Sequence, residues 1–351
     1  MTLDQLEVDI RHWLSEGATD VFLKEGEKIR LRLNGEVLPV ECDPLSHDDL
    51  AALWQACETD PGQTRERDAR YQTASGSYLR VNLFRAMGKL SAAIRPIKDE
   101  IPALNSLGLP NALLRGWISR RSGLILVTGT TGAGKSTTLA SALNDLNQSR
   151  HNHIITLEDP IEYFFKNERS FFSQRELNTD TGGFATALRA ALRQNPDVIM
   201  VGEIRDEETA KLALRAAETG HLVLSTLHSS GVVESIERIC NLFPDEDAKT
   251  SRMLLSRQLI GVITQKLLPG VDGSLKMVSE YLQNDGAVRS WIREGRYRDI
   301  IDHLERPEDA QTRNMLTSIV QTYQAGLIGA QIARDSSPNP TDFDRAIRGI
   351  S

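Results

Sequence analysis

The sequence predicts an α/β protein in two parts: a mostly parallel sheet with helices on both faces, preceded by a smaller α+β domain. Three observations carry this reading. From Leu113 onward, short apolar strands alternate with helical patterns, the order that builds parallel sheets. Gly129-Thr130-Thr131-Gly132-Ala133-Gly134-Lys135-Ser136 matches G-x-x-x-x-G-K-[ST] and joins a strand to a helix. Before residue 98 the chain instead reads as a helix, a hairpin, a second helix and two alternating strands.

Taken in order, residues 3–16 place Leu3, Leu6, Ile10, Trp13 and Leu14 on one side of a helix that Gly17 stops. Strands follow at 20–23 and 29–33, with a hairpin turn at Asn34-Gly35. A helix spans 46–57, with Ser46 or Asp48 near its cap. Tyr78 to Arg85 and Leu90 to Ile97 read as strands. The smaller domain thus covers 1–98, a linker with Pro102 and Pro110 covers 99–112, and the larger domain covers 113–351. Within it, strands are expected at 124–128, 153–157, 197–201 and 221–225, and helices at 134–147, 183–194, 206–219 and 231–241. Beyond about 245 a helical subdomain is expected, at 246–260, 284–294, 296–304 and 309–325, interrupted by a strand pair at 261–268 and 275–282. Ser336 to Pro340 reads as a loop.

Composition narrows the function classes. The chain has 351 residues, enough for two domains, and a net charge of −7, whereas a dedicated nucleic-acid binder is usually basic. Apolar runs fall short of the ~20 residues of a membrane span, and the acidic N-terminus is unlike a signal peptide. Three scattered cysteines, Cys42, Cys57 and Cys240, argue against a disulfide framework or a zinc site and fit a reducing cytoplasm.

The glycine-rich run has the chemistry of an anion cradle. Backbone N–H groups and a helix dipole meet phosphate there, Lys135 brings a mobile charge, and Ser136 offers an oxygen to Mg²⁺. Two later strands deliver carboxylates to the same edge. His153 to Leu157 ends in Glu158-Asp159-Pro160, and Val198 to Val201 ends in Gly202-Glu203, a Gly-Glu pair where an Asp is usual. Such carboxylates hold metal or orient water. Asp206 reads more simply as the cap of the next helix. His221 and His228 flank a further strand, and His228 is the better placed to sense a γ-phosphate. A lone histidine is usually a satisfied core or surface group. Arg189 and Arg193, four apart, share a helix face, and Arg80 and Arg95 lie on the last two strands of the first domain. They are either solvated surface charge or fingers for the transferring phosphoryl group.

Together these motifs resemble one family: the secretion ATPases of the type II secretion and type IV pilus systems, and within them the pilus-retraction branch. Gly129 to Leu139 resembles its Walker A. Thr156 to Tyr163 resembles its Asp box, Leu188 to Asp206 its atypical Walker B, and Thr219 to His228 its His box. Gly17-Ala18-Thr19-Asp20-Val21 resembles the opening motif, with Phe22 where His is common. Leu107 to Pro110 resembles the segment near the adenine. Ala287 to Gly295 is similar to the retraction-specific AIRNLIREG helix, with Ser290 and Trp291 in place of its Asn-Leu.

The resemblance implies a PAS-like N-terminal domain, a RecA-like P-loop NTPase domain and a homo-hexameric ring. ATP and Mg²⁺ are the implied cofactors. Gly129, Thr130, Thr131, Gly132, Ala133, Gly134, Lys135, Ser136 and Thr137 would bind nucleotide, and Ser136 and Glu203 the metal, in part through water. Glu203, Glu158, Arg80, Arg95, Arg189, Arg193 and His228 would carry the chemistry. No zinc insert or long N-terminal extension of the assembly members is expected. The implied place is the cytoplasmic side of the inner membrane, on a pilus platform protein, alongside a paralogous pilus ATPase and without nucleic acid.

Overall fold

The computed structural model describes residues 3–33, 35–97, 100–306 and 310–349. It divides into two compact units, Met1–Glu100 with Glu162–Phe164, and Ile101–Ile161 with Phe165–Ser351.

The first unit begins with α1 (Leu3–Ser15), which buries Leu6 and Ile10 and ends before Gly17, whose φ of 94° few other residues adopt. Strands β1 (Asp20–Lys24), β2 (Arg30–Leu33) and β3 (Glu36–Pro39) follow, then α2 (His47–Ala56), β4 (Glu66–Gln72), β5 (Tyr78–Ala86) and β6 (Lys89–Pro96). Ser46 caps α2 in a reciprocal capping box with Asp49. The strands form an antiparallel sheet in the order β3-β2-β1-β6-β5-β4. Val21, Leu23, Leu79, Val81, Leu83 and Ile94 line its apolar face and bury Leu6, Ile10, Leu50, Leu53 and Trp54 of the two helices. Asn34 of the expected turn lies outside the described residues, as do Lys98 and Asp99 near the expected linker; β2 and β3 pair across that turn, Leu33 opposite Glu36.

In the second unit α3 (Asn111–Ile118) leads to β7 (Gly123–Thr128), α4 (Lys135–Ser149), β8 (His153–Glu158), β9 (Phe171–Glu176), α5 (Phe184–Ala191), β10 (Val198–Val201), α6 (Glu207–Glu218), β11 (Leu222–Leu227) and α7 (Val232–Asn241). Then come α8 (Ala248–Gln258), β12 (Leu259–Pro269), β13 (Leu275–Gln283), α9 (Gly286–Glu294), α10 (Tyr297–Glu305), β14 (Thr312–Arg313), α11 (Met315–Gln324), α12 (Ala330–Ser336) and α13 (Pro340–Ala346). The sheet order is β14-β13-β12-β7-β11-β10-β8-β9, parallel from β12 to β9 and antiparallel at β13 and β14. Every residue of β7, β10 and β11 is buried, as covered parallel strands require. Leu124 and Leu126 face a core shared with α5, α6 and α7, and α4 packs on β7.

Several elements differ from the sequence reading, each for a local reason. β3 is the return strand that the expected hairpin implies, whereas β4 and β9 went unread because they are largely polar edges with little apolar alternation. β12 and β13 extend the main sheet, β12 directly beside β7. The helix expected from 309 starts at Met315, capped by Asn314, because 312–313 pair with β13; residue 309 itself lies outside the described residues. Ser336 ends α12 and Pro340 opens α13, so the expected loop shrinks to three residues between two helices.

Candidate active site

The site is built where parallel strands end. β7 runs into the glycine-rich loop and α4 runs out of it. Gly129 has a φ of 144°, and a Cβ there would stand 2.5 Å from the Gln265 carbonyl and 2.9 Å from Ala133 Cβ. Only glycine fits. Gly134, at the start of α4, leaves the helix with no side-chain cap, and nothing lies within 4 Å of a Cβ built on Gly132. A helix N-terminus at the end of a glycine loop suits an anion. Thr130, Thr131 and Gly132 form the exposed rim, Gly129 and Ala133 the buried base, and Ser136 and Thr137 the first turn of α4.

Lys135 is buried, and its Nζ donates to the carbonyl oxygens of Gly129 at 2.9 Å and Thr130 at 3.0 Å. The same Nζ lies 3.4 Å from His228 Nδ1, just beyond the end of β11. An ammonium has no lone pair, so a hydrogen bond between the two needs Nδ1 as its acceptor. The ring's Nε2 faces Glu203 Oε1 at 3.6 Å. Glu203 Oε2 accepts from Arg205 Nε at 2.7 Å, and Arg205 Nη1 lies 3.6 Å from Asp159. The Glu203 carboxylate holds the Arg205 guanidinium above its ordinary pKa. Lys135, His228, Glu203, Arg205 and Asp159 therefore form one line of alternating charge and dipole.

Glu158 sits at the tip of β8, buried, its Oε1 accepting from Thr156 Oγ1 at 2.6 Å and Gln174 Nε2 at 3.2 Å. Gly202 explains the Gly-Glu pair, since a Cβ there would meet the Leu157 carbonyl at 3.1 Å and the Phe184 ring at 3.4 Å. The acid is displaced one residue outward. Asp206 caps α6 by accepting from Thr209 N at 2.8 Å.

The arginines are placed differently. Arg189 pairs with Glu208 of α6. α5 ends at Ala191, so Arg193 lies in the turn after it and the two do not share a helix face. Arg80 and Arg95 belong to the first unit, directly opposite each other on β5 and β6.

Sequence reasoning missed two supports. Arg205, two residues from Glu203, was read only as part of a motif. Gln265 of β12 is fully buried, donates Nε2 to the Ala133 carbonyl at 2.7 Å and accepts from Thr138 Oγ1 at 3.0 Å. Its neighbour Thr264 meets Thr128 Oγ1 at 2.7 Å, and Ser235 of α7 donates to Thr128 at 3.0 Å. The signal was the polar pair Thr264-Gln265 inside an otherwise apolar strand.

A glycine cradle between a parallel strand and a helix, with a lysine on its own loop carbonyls and carboxylates at neighbouring strand tips, defines the P-loop class of nucleotide-binding folds. More particularly, the chain belongs to the type II/IV secretion system protein family, whose profile matches residues 5–296. It is 35% identical to the type IV pilus retraction ATPase PilT of Pseudomonas aeruginosa, over 93% of this chain and 96% of that one. It is 32% identical to the type IV pilus ATPase PilU of the same organism, over 98% of this chain and 91% of that one. The crystal structure of the pilus retraction motor PilT with bound ADP superposes with a TM-score of 0.90 at 36% identity, covering 98% of this chain and 99% of that one.

Proposed function

We propose that this chain is an ATPase motor that retracts type IV pili, working as a homo-hexameric ring on the cytoplasmic face of the inner membrane against a platform protein. The observation that carries the reading is the contact line from Lys135 through His228 to Glu203. It joins the phosphate loop to a histidine and an acid just past the ends of adjacent strands.

ATP would lie with its phosphates on Gly129 to Thr137. Ser136 and Glu203 offer oxygens suited to Mg²⁺, directly or through water. When bound, Mg²⁺ would neutralise charge on the β- and γ-phosphates. Lys135 balances the same charge from the protein side. Glu203 orients and activates the attacking water, its carboxylate aimed by Arg205, and Glu158 assists from β8. His228 senses the γ-phosphate from beside Lys135, and Arg80, Arg95, Arg189 and Arg193 neutralise it. Loss of these contacts on hydrolysis frees the smaller domain to rotate about the linker, turning chemistry into rigid-body motion.

The test is steady-state ATP hydrolysis by the full chain, with and without a Mg²⁺ chelator, beside Glu203→Gln at matched oligomer size. The chelator is expected to abolish turnover and the substitution to lower it by about 10²–10³-fold. A mutant that keeps native turnover overturns the assignment of Glu203.

A second reading is an accessory ATPase acting with a paralogous motor. It is favoured by the similarity to PilU over nearly the whole chain and by Ser290 and Trp291 on α9. A ring that binds ATP but turns over only with its paralogue supports it.

A further inference from the structure

A polar row crosses the main sheet of the second unit and has no part in the mechanism above. Register sets Glu280 of β13 opposite Thr264 of β12, Thr264 beside Thr128 of β7, and Thr128 beside Leu227 of β11. Thr128 is the residue before Gly129 of the phosphate loop, and Leu227 the residue before His228. Thr128 and Thr264 are fully buried, as is Ser235 of α7, whose hydroxyl meets that of Thr128.

The chain between His228 and α7 is tied to this row. Ser229 Oγ lies 2.6 Å from Ser235 Oγ, and the Gly231 carbonyl accepts from Ser235 Oγ at 2.6 Å. Gly231 opens α7 with no side chain of its own to cap the helix. Glu280 supplies that cap from the sheet, its Oε1 accepting from Val232 N at 2.7 Å. Its Oε2 accepts from Met315 N at 3.2 Å, at the start of α11. Burial raises the pKa of Glu280, and these two N–H groups oppose the shift. A carboxylate serves two helix N-termini at once because both of its oxygens accept, whereas an amide has one accepting oxygen.

We propose that Glu280 and Ser235 are positioning residues for His228, fixing the loop that carries it against the strand that feeds the phosphate loop. This rests on the γ-phosphate sensing given to His228 above. The His228 side chain is 42% exposed, and its contacts to Lys135 and Glu203 are long, at 3.4 Å and 3.6 Å. The aim of the ring therefore depends on the backbone behind it. Without the Glu280 cap or the Ser235 tie the loop gains freedom, and fewer of its conformations present the ring to the phosphate.

The experiment measures steady-state ATP hydrolysis by the full chain at matched oligomer size. Glu280→Gln is expected to lower kcat about 3–10-fold and to leave KM for ATP within about 2-fold. Ser235→Ala lowers kcat in the same way, and decides the question alone if Glu280→Gln does not assemble. In a His228→Ala background neither substitution changes kcat by more than about 2-fold, because each acts through that ring. Equal losses of kcat in the native and His228→Ala backgrounds, the mark of a purely structural role, overturn the proposal. So does an unchanged kcat in both variants when His228→Ala has lowered it. If His228→Ala itself leaves kcat unaffected, the role of His228 fails and takes this inference with it.

Discussion

In the first unit the charged candidates are residues of the strands themselves: Asp20 opens β1, Arg80 is third in β5 and Arg95 next to last in β6. In the second, the candidates borne by the sheet sit where strands end, with Glu158 at the tip of β8, Glu203 past β10 and His228 past β11, while Lys135 and Arg189 are carried by helices. The number of apolar faces explains the contrast. The antiparallel sheet buries one face against α1 and α2, so every second position of β5 is free to be polar. The central parallel strands are buried throughout, and an ion in their middle would have no partner. Chemistry in a covered sheet is confined to its edge, which is where the phosphate loop lies.

Placing charge in the two kinds of strand breaks or upholds this account most strongly. Ile199→Asp puts a carboxylate into fully buried β10 and is expected to cost more than about 4 kcal/mol, close to the whole stability of a domain. Asn82→Lys, on the polar face of β5 with Asp68 as its cross-strand partner, should stay within about 0.5 kcal/mol. Urea unfolding of both full-length variants checks the pair. A tolerated Ile199→Asp would mean that β10 is not covered on both faces in solution.

The same contrast governs what was legible in the sequence. Continuous apolar runs such as Leu124 to Val127 and Val198 to Val201 announce covered strands, and the glycine pattern between β7 and α4 announces the phosphate site. Edge strands carry no such mark. β4 reads Glu66-Arg67-Asp68-Ala69-Arg70, and nothing in that run shows that it pairs with β5 or that Arg70 joins a row with Arg80. Local pattern also could not show contacts made across the sheet. Gln265 lies far along the chain from Gly129, and only the placement of β12 beside β7 sets it beneath the loop. The shared helix face of Arg189 and Arg193 failed because α5 stops at Ala191, two residues short of what the spacing requires.

Gln265 offers the next sharpest test, because it brings a polar group into a covered sheet with both ends of its amide paired. Gln265→Leu strands the Ala133 carbonyl and the Thr138 hydroxyl, at about 1–3 kcal/mol in stability. Its larger signature is kinetic, a higher KM for ATP, since the loop loses its support while Glu203 and Arg205 stay in place. A variant destabilised with unchanged KM would reduce Gln265 to a packing role. In the first unit, Ser46→Ala removes one half of the capping box on α2 and should cost about 1 kcal/mol, read from the same urea curves.

The smallest expected change in stability belongs to Arg189. It pairs with Glu208 on the surface, the two side chains being 52% and 59% exposed. Such pairs contribute little, because water screens the charges and ordering two long side chains offsets what remains. Arg189→Ala should therefore alter stability by less than about 0.5 kcal/mol. Under the proposed function, however, it should lower ATP turnover measurably, since the arginine then serves a phosphate and not the fold. Unchanged turnover with unchanged stability would return Arg189 to solvated surface charge. A stability loss well beyond that range would show that the α5–α6 contact it bridges depends on an exposed ion pair, against the expectation that the buried core of the second unit holds those helices.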